Sequence, residues 1–123
     1  MKKYNYCPLC RSTLVERKKE GVLRAFCPEC DWTDYANPLP SVAALVHNSA
    51  GEILLIKRGV APGRGSWALP TGFIEQHEDP ETAVLRELHE ETGVHGAVKR
   101  LIGVYTEKTA LYGNVLLLGY EVS

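Results

Sequence analysis

The spacing of apolar positions changes along the chain, and the changes mark predicted elements. Residues 13–18 and 22–26 flank the turn residues Glu20-Gly21, which predicts two short strands, Thr13–Lys18 and Val22–Phe26, joined by a tight turn. Tyr35 to Pro40 holds two prolines and reads as a stiff, extended link. Val42–Val46 is a continuous apolar run of strand length. The turn residues Asn48 to Gly51 follow, then a second strand over Glu52–Arg58, so these two strands are expected to form a hairpin. Gly59 to Ser66 is a Gly/Pro/Arg loop. From residue 79 the period becomes helical: Val84, Leu85 and Leu88 make one narrow stripe. Asp79 suits the N-cap, Pro80 the first helical position and Gly93 the C′ position. Val98–Thr106 and Asn114–Val122 return to strand patterns, with Gly113-Asn114 near the turn between them.

The same helix carries chemistry. Glu87, Glu90 and Glu91 stand at i, i+3 and i+4 and therefore share a face. Like charges so spaced destabilise a helix by a few tenths of a kcal/mol per pair, a penalty that a cation against that face removes. Carboxylate oxygens on one edge suit magnesium or manganese, which bridge protein carboxylates and substrate phosphates. Arg86 lies beside Glu87 and four before Glu90, placed to orient either carboxylate. Without further context, three such glutamates are a solvated acidic face.

Context is supplied by residues 72–94. Gly72, five residues, Glu78, seven residues, then Arg86-Glu87-Leu88-His89-Glu90-Glu91-Thr92-Gly93-Val94 resembles the signature box of Nudix hydrolases at every fixed position. His77 departs from the glycine usual before the glutamate, at a position that is not a ligand. The resemblance implies a Nudix fold, α+β, with a catalytic helix on a mixed sheet in an α/β/α sandwich. It implies hydrolysis of a nucleoside diphosphate linked to another group. Glu87, Glu90 and Glu91 would be the main Mg²⁺ or Mn²⁺ ligands and Glu78 an additional or outer one. Arg86 would orient Glu87 or Glu90. Gly72 would open the turn into the helix, with a nearby carbonyl facing the metal. The base would be Glu87 or, outside the box, Glu107, with Glu87 preferred.

Cys7-Pro8-Leu9-Cys10 and Cys27-Pro28-Glu29-Cys30 use all four cysteines of the chain in two CPxC knuckles, the spacing of a structural zinc site. Disulfides, a redox pair or iron are the alternatives. Residues 1–34 hold few large apolar side chains, and so short a unit seldom folds on burial alone. The reading is a zinc ribbon over 1–34 followed by a Nudix domain over 35–123.

Ribbon plus Nudix box resembles the zinc-bearing NADH pyrophosphatases, some of which act on NAD-capped RNA. Their Ser-Gln-Pro-Trp-Pro-Phe-Pro run is not matched by Tyr105 to Asn114, whereas Lys57 to Pro70 is closer to ribbon-bearing enzymes acting on ADP-ribose or FAD. The other class of reading is a non-catalytic regulator whose ribbon touches RNA or protein. Intact box glutamates favour the enzyme.

Outside the box, Arg58 and Arg64 are candidate phosphate contacts, equally readable as exposed loop charges. Trp67, Tyr105 and Tyr112 are candidate base stackers, with Trp67 expected in the core. The 123 residues carry a formal charge of −1, which gives no global drive toward nucleic acid or membrane. The first 34 residues have seven Lys/Arg against five Asp/Glu, and Lys2, Lys3 and Arg17-Lys18-Lys19 are expected to be solvated surface. No apolar run reaches the roughly 18 residues of a membrane span, and a cytoplasmic site is expected. Only 29 residues follow Val94, where the family continues into another strand or two and a second helix. A truncated domain is expected, and a homodimer is compatible with the uncovered strand.

Overall fold

A computed structural model describes residues 4–123, so Lys2 and Lys3 lie outside the described residues. The element order is β1 (Val15–Lys19), β2 (Val22–Phe26), β3 (Thr33–Asp34), β4 (Leu39–Val46), β5 (Ile56–Lys57), β6 (Trp67–Ala68), β7 (Thr71–Phe73), α1 (Pro80–Thr92), β8 (Val98–Thr109) and β9 (Gly113–Val122).

Strands β1 and β2 form the expected hairpin. Glu20 and Gly21 both take positive φ, 52° and 80°, which matches the right-handed twist of the flanking strands. The two-residue β3 pairs with β2 and was not legible, since two residues carry no periodicity.

The main sheet has the order β7-β4-β9-β8. It is mixed: β4 runs parallel to β9 and antiparallel to β7, while β8 and β9 are antiparallel. A parallel pair needs a long crossover, and the segment from β5 to β8, helix included, supplies it. Leu39 and Pro40 belong to β4, not to a linker. Proline already holds the chain extended there, and its carbonyl accepts from Ile74 N at 3.1 Å.

The expected hairpin of Val42–Val46 with Glu52–Arg58 is largely replaced. Asn48 Oδ1 accepts from the N–H groups of Ala50 and Glu52, closing the turn. Pairing then lasts only for the Asn48 N to Glu52 O bond, the His47–Ile53 bridge and the Leu54 N to Val46 O bond. The chain leaves to pair Ile56–Lys57 with Trp67–Ala68. Trp67 is therefore 65% exposed on a two-stranded ribbon and is not a core residue.

Helix α1 starts and stops as its caps require. Asp79 accepts from Thr82 N at 2.8 Å, and Gly93 at φ 74° donates its N–H to His89 O. Ala83, Val84 and Leu88 are buried against Val42, Ala44, Tyr120 and Val122, and Leu85 packs at the margin. Val42 and Ala44 thus face the helix, so by alternation Ser41 and Ala43 face the other side of the sheet. No second helix covers that side among the described residues, and none of the helices there is long and apolar enough to cross a membrane.

Candidate active site and metal centre

The acidic site is assembled around one guanidinium. Arg86 sits on α1 and donates through Nε to Glu78 Oε1 and through Nη2 to Glu78 Oε2 at 2.9 Å. Its Nη1 donates to Glu87 Oε1 at 2.8 Å and to Glu90 Oε2 at 3.2 Å. Nη2 also reaches the Phe73 carbonyl at 3.0 Å, which ties the helix to the end of β7. Arg86 therefore orients Glu87 and Glu90 together and, in addition, grips both oxygens of Glu78. Glu78 accepts a further bond from Glu75 N at 2.9 Å, so it anchors the guanidinium to the loop before the helix.

Gly72 lies inside β7, paired with Val42, and does not open the turn into the helix as expected. The reason for glycine is the close approach of the Glu87 carboxyl group, onto which a Cβ at this position would fall. Gly72→Ala should push Glu87 out of its seat and, on the ligand role proposed for Glu87 below, lower kcat by about 10- to 100-fold. Steady-state kinetics beside a thermal melt checks this, since the overpacking itself should cost only about 1–3 kcal/mol.

Glu91 differs from its neighbours. Its carboxyl is held above the usual carboxylate range, first by displacement of water and next by the charge of Glu87; the Thr71 N–H and the Arg58 charge oppose the rise. Glu78 goes the other way, to about 2, because Arg86 and the Glu75 N–H bond its charged form. A folded-state value below the unfolded one stabilises the fold above the unfolded pKa. That contribution should fade as pH falls from about 4.5 toward 2. Melting temperatures of the wild type and Glu78→Gln should therefore converge across that window and separate above it.

Beside these groups, on the sheet face away from α1, lies an open cavity of about 980 Å³. Gly72, Thr71 and Arg58 border it on the acidic side, Glu107 lines it from β8, and Phe73 and Tyr112 meet edge to face at 4.9 Å between centroids. Arg58 is held by its own loop: Nε donates to Pro62 O at 2.7 Å, and Arg58 N donates to Ser66 O. Arg64 is exposed and does not line the cavity; neither does Trp67 or Tyr105. Phe73 was missed by the sequence reading, although it directly follows Gly72 in the box.

The donor set fits a hard dication. Glu78, Glu87 and Glu90 share one close guanidinium, Glu91 stands within the field of Glu87 on the same helix face, and Gly72 leaves the space that Glu87 occupies. The histidines are all exposed, with His89 and His95 stacked on each other at 4.1 Å.

The four cysteine sulfurs form a second cluster, all within 4.8 Å of one another. Cys7 Sγ lies 3.5 Å from Cys30 Sγ, and Cys10 Sγ 3.4 Å from Cys27 Sγ. A zinc–sulfur bond of about 2.3 Å in a tetrahedron separates sulfurs by about 3.8 Å, so the cluster has the right size. The knuckles repeat one geometry: Arg11 N donates to Cys7 O and Asp31 N to Cys27 O, with φ of 68° and 63° at Arg11 and Asp31. Cys10 is lowered to about 6, chiefly by the Ser12 hydroxyl. Cys30 is pushed up to about 12: the Trp32 N–H pulls it down, but burial and the other sulfurs outweigh it. Four thiolates cannot coexist at this spacing without a cation.

A family model described as NUDIX domain matches residues 37–115. An ADP-ribose pyrophosphatase of Methanocaldococcus jannaschii is 46% identical over 72 residues, 58% of this chain and 42% of that protein. An RNA pyrophosphohydrolase of Gluconacetobacter diazotrophicus is 45% identical over 64 residues, 47% of this chain and 38% of that protein. The chain thus spans about two fifths of the length of these curated relatives. A crystal structure of a NUDIX hydrolase from Nitrosomonas europaea superposes with a TM-score of 0.79 at 30% identity, over 98% of this chain and 68% of that one.

Proposed function

The chain belongs to the NUDIX family, and from that membership we propose that it hydrolyses the pyrophosphate bond of a nucleoside diphosphate linked to another moiety, with ADP-ribose first and FAD or NAD(H) after it. The observation that carries this reading is that Arg86 gathers Glu78, Glu87 and Glu90, with the Glu87 carboxyl seated against Gly72, which lines a cavity large enough for a nucleotide.

Glu87, Glu90 and Glu91 are the residues to hold Mg²⁺ or Mn²⁺, with the carbonyl at Gly72 as a further donor and Glu78 as an outer support. The bound ion would supply charge neutralisation at the phosphates and a more acidic water. The protein's own residues do the rest. Arg86 fixes Glu87 and Glu90 before substrate arrives, so no reorganisation is needed during reaction. Only Oε1 of Glu87 is bonded to Arg86, leaving Oε2 for the proton of the attacking water. Glu107 faces the same cavity and is the other base candidate. Arg58, whose charge reaches Glu91, suits a phosphate oxygen. Phe73 and Tyr112 offer ring surface to a base.

Cys7, Cys10, Cys27 and Cys30 are proposed to hold a structural Zn²⁺. A closed set of four thiolates leaves no coordination position for substrate.

The test is release of AMP and ribose 5-phosphate from ADP-ribose. The products should form with Mg²⁺ or Mn²⁺, cease with a chelator and return on adding the metal back. Hydrolysis that ignores the chelator would contradict the reading.

A further inference from the structure

Charge in the β1–β2–β3 sheet is sorted by face. The register sets Arg17 opposite Arg24 and Lys19 opposite Val22. Alternation puts Val15, Arg17, Lys19, Val22, Arg24 and Phe26 on one face, and Glu16 and Lys18 on the other. Asp34 pairs with Ala25, which lies opposite Glu16, so it too belongs to the second face. The strand residues of the first face therefore carry three cations and no acid.

Like charges directly opposed across a strand pair destabilise it. Here nothing offsets them with an acid: no ion pair involves Arg17, Lys19 or Arg24 among the described residues. The cations lean on rings instead. Arg17 lies 3.8 Å above the Phe26 ring, and Lys19 and Arg24 lie 5.3 and 4.8 Å from the Tyr35 ring. Arg24 Nη1 is tied to Tyr35 O at 3.0 Å, yet its Nε is buried with no hydrogen-bond partner. Tyr35 itself is 41% exposed.

We propose that this face of the ribbon, Arg17, Lys19 and Arg24 with Tyr35, binds single-stranded RNA. Cations that track a phosphodiester backbone, interleaved with exposed aromatic surface, are the elements of single-strand recognition. The major groove of an RNA duplex is too deep and narrow for side chains to read, which favours the single strand. RNA is the occupant because its 5′ end can carry the pyrophosphate linkage that the acidic site is proposed to cleave; that choice rests on the functional reading above. The overall charge of −1 conceals this face, because the acids that cancel it stand elsewhere.

The experiment is fluorescence anisotropy of the full, zinc-loaded chain with a labelled single-stranded RNA bearing a 5′-hydroxyl. Such a probe has no pyrophosphate, so binding is read independently of the acidic site. Arg17→Ala/Lys19→Ala should weaken binding about tenfold or more and flatten the slope of log K against log salt by about 1.4, at about 0.7 per phosphate contact. Arg17→Gln alone, which keeps chain length over Phe26, should flatten it by about 0.7. Lys18→Ala, on the other face, should leave affinity within about twofold, and AMP release from ADP-ribose should be unchanged in all three. Absence of RNA binding by the wild type would overturn the proposal. So would an equal loss in Lys18→Ala, or an unchanged salt slope in the double variant at full zinc content.

Discussion

Glu91→Gln is expected to lower kcat by about 10²- to 10³-fold while leaving the fold slightly more stable. The first part follows from losing one of the three helix carboxylates proposed to hold the cation, an interaction worth about 3–4 kcal/mol at the transition state. The second follows from charge. Glu87 and Glu91 repel each other at i and i+4, and Glu91 already holds its proton more tightly than a free carboxyl, chiefly through lost solvation. Removing that charge relieves a few tenths of a kcal/mol in the metal-free protein. A residue needed for folding would instead lower stability, with activity falling in proportion. Kinetics and melting of the same preparation therefore separate the two roles. A melting temperature that drops with kcat would assign Glu91 to structure.

Removal of zinc is expected to unfold residues 4–34 and leave the main sheet standing. The buried apolar side chains of that segment are Cys7, Phe26 and Cys27, two of which are the proposed ligands. Leu9, Val15, Val22 and Leu23 are exposed, Leu9 by 72%, so burial supplies little folding free energy. A structural zinc contributes on the order of 10–16 kcal/mol at neutral pH, enough to account for the order seen there. The core of Val42, Ala44, Val84, Leu88 and Val122 contains no cysteine and should survive. Hydrogen exchange with and without chelator checks this: amides of β1 and β2 should lose protection while those of α1 and β4 keep it. Uniform protection in both states would contradict a structural metal. Cys27→Ser should reproduce the chelator result.

How much could be read beforehand depended on how local the deciding force was. Helix α1 was legible to its ends, because Asp79, Pro80 and Gly93 are caps whose effect depends on the adjacent turn alone. The β1–β2 turn was legible for the same reason. Pairing partners were not. Leu39-Pro40 entered β4 because β9 lies alongside, and Glu52–Arg58 broke up because Trp67–Ala68 competes for Ile56–Lys57. Trp67 is exposed for the same reason, against the general tendency of aromatic side chains to be buried. In the acidic site, spacing showed that Glu87, Glu90 and Glu91 share a face, and adjacency linked Arg86 to two of them. That Arg86 also holds Glu78 and the Phe73 carbonyl depends on the path of the loop, which no periodicity describes. Gly72 was expected to open the turn into the helix, whereas it lies inside β7 with the Glu87 carboxyl against it, a contact that only the folded chain makes. The sorted charges of the ribbon became visible once the register placed Arg17 against Arg24.

The most direct test of the central claim is mass spectrometry of products from the folded, zinc-loaded protein. It would be given Mg²⁺ or Mn²⁺ and ADP-ribose, FAD, NADH, nucleoside triphosphates and capped RNA, with Glu91→Gln in parallel. The account predicts that at least one dinucleotide-type substrate is split at its pyrophosphate into two phosphomonoesters, one of them AMP, and that the variant forms them about 10²- to 10³-fold more slowly. No cleavage of any of them, or equal cleavage by the variant, would contradict it.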